Sequence, residues 1–268
     1  GTYSEDNYGR YVEDLSALDY NGEPLQVRRE DPNTWLIPDG GELDRVRYFV
    51  NDSFDSEGGA EDAPFSPAGT NILSDTHFLL NLHGFVGYFD RYKEVSYELN
   101  IEAPEDLIPV TSLPGQQLED GSFRFLAGRY FEVIDNPIQW AASAPVSFEV
   151  GDITVNLSVY SPNNTYSAAD LRPAMERMMH AQKAFLGEID GTREYNILLY
   201  LSTMQEDAMG FGALEHHTST VVVLPEQMQP AQLEETMVDV VSHEFFHIVT
   251  PLNIHSEEVQ YFDYNDPE

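Results

Sequence analysis

Between Pro230 and Ile248 the chain carries a helical pattern with an acid on its apolar side, and this constrains the rest of the reading. Pro230 suits a first helical turn, and Gln232, Leu233, Glu234, Glu235 and Met237 are good helix formers. Leu233, Met237, Val240, Val241 and Ile248 recur at helical spacing and form a stripe that must face a core. The same spacing runs through Glu244, whereas Glu235, Asp239 and Ser242 mark the wetter face. A carboxylate on an inward stripe is costly unless it is paired or works beside a cation. His243 and His247 flank it four residues apart, so both imidazoles lie on one side of the helix.

His243-Glu244-Phe245-Phe246-His247 therefore reads as the H-E-x-x-H pattern of zinc metallopeptidases. Two imidazoles one helical turn apart can share a tetrahedral ion, and the adjacent acid is placed to take a proton from the attacking water. A site of this kind needs a third protein ligand. The metzincin continuation requires Gly at 250 and His at 253, but the chain has Thr250 and Asn253, which excludes that class. The gluzincin class takes a Glu from a later helix. Glu257 and Glu258 follow His247 too closely, and Asp266 and Glu268 lie in a turn-like tract, so the third ligand is expected beyond residue 268.

Composition narrows the partners. There are 47 acidic against 13 basic residues and a formal charge of −34, with Lys93 and Lys183 the only lysines. Such a chain cannot neutralise phosphates, so nucleic acid is excluded as a partner, and so is an anionic membrane surface. No stretch approaches the ~20 apolar residues of a membrane span. The absence of cysteine removes disulfides, thiolate-bound zinc and thiol catalysis. Acidic, lysine-poor surfaces stay hydrated in concentrated salt, which fits a salt-adapted or acid-tolerant source as well as an ordinary acidic secreted or bacterial protein. Unfolding measured across a salt series separates these: a salt-adapted chain gains stability between low and molar salt, and an ordinary one does not.

Along the chain, residues 1–162 read as strands and turns. Arg45–Val50, Val95–Ile101, Ser122–Leu126 and Ile153–Tyr160 alternate as half-buried strands do, with Gly and Pro punctuation between them. Ser56–Gly69 reads as a long loop. These features predict a β-sandwich. From 163 the character changes: a helix over Ala168–Leu186 with an apolar stripe of Leu171, Met175, Met178, Met179 and Phe185, strands at Tyr195–Leu201 and Thr218–Leu224, then the histidine helix. Helix, strand, strand, helix begins an α+β domain over 163–268.

Three tracts resemble the glycyl aminopeptidase family of gluzincin peptidases. They are His243 through Pro251-Leu252-Asn253-Ile254-His255-Ser256-Glu257-Glu258 to Phe262-Asp263-Tyr264; Gly212-Ala213-Leu214-Glu215-His216, with Ala where a second Gly is usual; and Tyr130-Phe131-Glu132-Val133-Ile134-Asp135-Asn136-Pro137-Ile138. The resemblance implies an N-terminal β domain joined to a thermolysin-like catalytic domain, truncated here at both ends. It implies zinc held by His243 and His247, Glu244 as general base, and Glu215 as the carboxylate that holds a substrate's free amine. The strand following Glu215 would then offer its sheet edge to an extended peptide. Zinc-dependent removal of small N-terminal residues such as Gly is the activity expected, with a peptide bearing a free N-terminus as substrate. The alternative is a non-catalytic β-sandwich binding module carrying an incomplete peptidase-like segment. Asp263, Asn265, Asp266 and Glu268 also cluster oxygens, but without the Asp-x-Asp-x-Asp-Gly spacing of a calcium loop.

Overall fold

A computed structural model describes residues 6–55, 63–187, 192–203, 208, 210–249, 254, 256–257 and 261. The first part is built from small antiparallel sheets. Strand β1 (Val12–Asp19) lies between β2 (Pro24–Leu25) and β5 (Leu43–Val50), with a two-stranded ribbon of β3 (Arg28–Arg29) and β4 (Trp35–Leu36) nearby in sequence. A four-stranded sheet runs in the order β6 (Asn71–Leu73), β7 (His77–Leu80), β12 (Ile138–Ala141), β9 (Ile108–Val110). A three-stranded sheet runs in the order β10 (Gly115–Gln117), β11 (Phe123–Ala127), β8 (Tyr97–Ile101).

The last two sheets share one core and form part of the expected sandwich, whereas Arg45–Val50, expected in it, lies in the sheet with β1 and β2. Alternation sends Tyr97, Leu99 and Ile101 of β8 and Phe123, Phe125 and Ala127 of β11 inward, while Glu98 and Asn100 stay exposed. The inward set shares one core with Phe78, Leu80, Ile138 and Trp140 of the four-stranded sheet. That sheet is covered on its other face as well, where Leu79 and Val110 meet Leu198, Tyr200, Val221 and Val223. Burial on both sides explains why β12 is hidden throughout, Gln139 included. The Gln139 amide is accommodated by donating to the Leu199 carbonyl at 3.1 Å, across the layer boundary.

The covering layer is a five-stranded sheet in the order β13 (Val146–Val150), β14 (Ile153–Tyr160), β15 (Glu194–Ser202), β17 (Ser219–Pro225), β16 (Gly212–Glu215). β14, β15 and β17 are mutually parallel, and the two outer strands run antiparallel to their neighbours. Helix α2 (Ala168–Leu186) crosses between β14 and β15, and α3 (Pro230–Phe246) follows β17; a single-turn helix α1 (Tyr130–Ile134) precedes β12. Both longer helices pack on one face of the sheet, where Leu171, Met175, Met179, Leu233, Met237, Val241 and Phe245 meet Val155, Leu157, Ile197, Leu199, Val222 and Leu224. The continuous apolar runs of β15 and β17 follow from cover on both faces.

Each strand and helix expected from sequence is present within one or two residues, but three assignments change. β14, grouped by its alternation with residues 1–162, pairs in parallel with β15 from Thr154↔Glu194 to Tyr160↔Tyr200, so the sheet runs across residue 162. Alternation reports that a strand has an inward face, not which sheet it joins. Phe185, placed on the buried stripe of α2, is 80% exposed. Leu186 packs against the core in the last turn instead, leaving Phe185 beside the ring of Phe246 at 6.2 Å. Finally, β16 is a strand that the sequence pattern did not indicate. Within the expected loop at 56–69, Ser66–Ala68 forms a 3-10 turn, and 56–62 lie outside the described residues.

Candidate functional site

Helix α3 brings the histidines together as its spacing requires. Leu233, Met237, Val241, Glu244 and Phe245 are buried, and His247 continues the helical backbone at φ −62°, ψ −21°. The Nε2 atoms of His243 and His247 stand 3.3 Å apart. Two imidazole nitrogens bound tetrahedrally to zinc at about 2.0–2.1 Å are separated by roughly 3.3–3.4 Å, so this pair fits such an ion without rearrangement. His243 is exposed and His247 half-buried, which leaves an approach from solvent.

Glu244 is only 6% exposed, and its Oε2 has no hydrogen-bond partner among the described residues. Burial pushes its carboxyl above the ordinary range, and the charge of Glu215 pushes the same way; His243, His247 and His216 pull against them without cancelling the rise. An acid of raised proton affinity with one unsatisfied oxygen is equipped to accept a proton.

Glu215 ends β16. One oxygen or nitrogen from each of Glu215, Glu244 and His247 lies within 4.8 Å of the others, so the strand delivers its acid directly to the helix motif. The edge strand is not the one the sequence suggested. β17 is interior, bonded to β15 on one side and β16 on the other, and among the described residues β16 stands at one edge of the sheet, as β13 does at the other. The physical reason is the hairpin: three residues after Glu215 suffice to turn the chain back, and β17 takes the inner position because its Val-Val-Val-Leu run can be buried on both faces. Gly212 at the start of β16 has φ +158°, and a Cβ there would come within 2.9 Å of the Phe65 ring, so only glycine fits. Below the acids, the fully buried Tyr195 has its hydroxyl held well above the usual range by burial, then by the charges of Glu244 and Glu215.

Three further residues had no role assigned from sequence. His216 and His217 form the turn after Glu215, and Asp135, at the end of α1, reaches both. Its Oδ2 accepts from the His217 backbone N–H at 3.1 Å and from His217 Nδ1 at 2.7 Å, and its Oδ1 is 3.6 Å from His216 Nδ1. Burial would raise the Asp135 carboxyl, but the nearby His216 and His217 imidazoles, the latter donating a hydrogen bond, bring it below the ordinary range. His217 moves the opposite way: burial lowers it, and Asp135 more than offsets that. The available signals were a His-His pair after an acid and an Asp-Asn-Pro turn, each with only local meaning. Of the residues named from sequence, Glu257 is exposed, while Pro251–Asn253, His255, Glu258, Phe262–Tyr264, Asn265, Asp266 and Glu268 lie outside the described residues.

Residues 1–142, more than half of the chain, match the sequence pattern of the Peptidase M61 N-terminal domain. The chain belongs to this family. The M61 match ends one residue past β12, where hydrogen bonding passes to the five-stranded sheet, so Asp135 lies inside it and Glu215, His243, Glu244 and His247 lie beyond it. No curated protein sequence matches the chain. Among solved structures it is similar to an aminopeptidase N family protein from Idiomarina loihiensis, with 18% identity and a TM-score of 0.76 over 97% of this chain and 43% of that one. This likeness shows a shared fold along nearly the whole chain. Native yeast LTA4 hydrolase aligns at 15% identity and a TM-score of 0.46, over 87% of this chain and 37% of that one. The chain thus spans less than half the length of either. Among the described residues no helix is long and apolar enough to cross a membrane.

Proposed function

We propose that this chain belongs to a zinc-dependent aminopeptidase. In this reading the β domain ends between Ala142 and Val146, and β13 onward begins a thermolysin-like α+β catalytic domain. The observation that carries it is the pair of imidazole nitrogens 3.3 Å apart beside a buried acid with an unsatisfied oxygen. His243 and His247 would hold zinc, with a third ligand, on the family resemblance, from a glutamate outside the described residues. When bound, the ion polarises the scissile carbonyl and makes the attacking water more acidic. Glu244 takes the water's proton at Oε2 and passes it to the leaving amine. Glu215 makes a charge-assisted bond to the substrate's ammonium, which confines cleavage to the first residue. The free edge of β16 offers backbone groups to an extended peptide. Preference for small first residues, Gly included, rests on the resemblance.

Metal removal and return tests the assignment in the full-length protein. Chelation abolishes turnover, zinc restores it, and His247→Ala fails to retain the ion; turnover that survives complete zinc removal rejects the reading. The anchor is tested separately. Glu215→Gln should cost about 30-fold or more on substrates with a free amine, the usual loss when one partner of a buried charge pair is removed. Des-amino analogues should be affected little, and an equal loss on both eliminates the anchor.

A further inference from the structure

The strand carrying Glu215 is poorly held by its own ladder. Among the described residues β16 has four residues paired on one side only, from Gly212↔Val223 to Glu215↔Thr220. A short edge strand of this kind shifts easily unless something outside the ladder fixes it. Here the fixing comes from the part of the chain that matches the M61 N-terminal domain. At the Gly212 end, the Phe65 ring sits where a side chain would otherwise be. At the Glu215 end, the turn is tied at successive residues. Asp135 takes the His217 backbone N–H and Nδ1 on one carboxylate oxygen and faces His216 with the other. Ser112 Oγ donates to the Thr218 carbonyl at 3.0 Å and accepts from Asn196 Nδ2 at 2.7 Å. The Phe131 ring stands edge-on to His217 at 5.2 Å. The Tyr130–Ile138 tract, which the proposed chemistry left without a role, thus carries a carboxylate bracketing the two residues after Glu215.

We propose that Asp135 is a positioning residue for substrate recognition: through His217 and His216 it fixes the tip of the β16–β17 hairpin and so sets where the Glu215 carboxylate meets the substrate's amine. This rests on the reading of Glu215 as the amine anchor. The N-terminal β unit is then part of the specificity apparatus and not a separate module. A charge-assisted bond to an ammonium falls off steeply with displacement, so a loosened hairpin weakens amine recognition while leaving His243 and Glu244 on α3, and His247 at its C-terminal cap, in place.

The test uses the full-length, zinc-loaded protein with alanyl-p-nitroanilide and its des-amino counterpart, propionyl-p-nitroanilide. Asp135→Ala should raise KM for the free-amine substrate about 10- to 100-fold, the scale of a misplacement near 1 Å, with kcat nearly unchanged. Turnover of the des-amino substrate and zinc content should stay as in the wild type. Backbone amide exchange over 215–220 should quicken. Combined with Glu215→Gln, Asp135→Ala should add no further loss, because both act through one carboxylate. If Asp135→Ala does not fold, His217→Ala reads the same link. An equal loss on both substrates, additive losses in the double variant, or unchanged amide exchange overturns the inference. If Glu215→Gln destroys amine discrimination and neither Asp135→Ala nor His217→Ala alters it, this inference alone falls. If Glu215→Gln itself leaves discrimination intact, the anchor reading fails and takes this inference with it.

Discussion

Replacing Glu244 by Gln or Ala in the full-length protein should lower turnover by about 10²–10⁴-fold, the usual contribution of a positioned general base, while zinc content persists. Gln keeps the volume of the side chain but its amide cannot take a proton, so the loss isolates the proton-transfer step. The native carboxylate is also a burden on the fold. It lies on the inward stripe of α3 with Oε2 unpartnered among the described residues, near a second acid, Glu215. Burying a charge under such conditions costs stability, and removing it should leave the melting temperature unchanged or higher. Activity and stability then move in opposite directions, which an unfolding artefact cannot imitate. Residual turnover within about tenfold of wild type would exclude Glu244 as the base, because so small a loss lies below the range of general-base catalysis.

Long, regular elements were legible in the sequence because local signals agreed. Ser167 and Asp170 form a capping box at the start of α2, and Pro230 opens α3, each followed by an apolar stripe that the core accepts. Glu244 was legible for the same reason, as the one acid on such a stripe. β16 was not. Its four residues include a glycine, too few to show a period, and its place in the sheet is fixed by Phe65 and Asp135 from distant sequence. The parallel pairing of β14 with β15 was hidden because periodicity carries no information about neighbours. Asp135 and His217 are 82 residues apart, and nothing local to either announces the other. The helix half of the candidate site was thus written in spacing, and the strand half depended on tertiary contacts.

Acid should weaken this protein well before its carboxylates are neutral, because two histidines, His77 buried and His83 half-buried with its Nδ1 enclosed, are held uncharged. His77 stacks on Tyr160 at 4.0 Å, and burial lowers it to about 3. His83 stands edge-on to Tyr8 at 4.6 Å, and its Nε2 donates to the Ala68 carbonyl at 2.9 Å. Burial, then the charge of His216, brings it to about 3 against the pull of that carbonyl. In the unfolded chain both take a proton near pH 6.5, so the unfolded state binds more protons as pH falls from 6.5 to 3. Stability is therefore lost on acidification, by about 1.4 kcal/mol per pH unit for each histidine. Asp52 opposes this. Burial raises it to about 6, so the folded state binds its proton first and gains stability between about 6 and the ordinary carboxylate range. Falling net charge, from −34 at pH 7, also relieves repulsion as acid is added. The clean measurement is a difference. His83→Gln keeps a donor for the Ala68 carbonyl but cannot titrate, so the gap between its urea midpoint and that of wild type isolates one proton. Relative to this variant, wild type should lose roughly 2 kcal/mol between pH 6.5 and 5, a large share of a typical stability of about 5–15 kcal/mol. Parallel curves for the two proteins over that interval would mean that His83 takes up its proton in the folded state, which its closed packing against Tyr8 forbids.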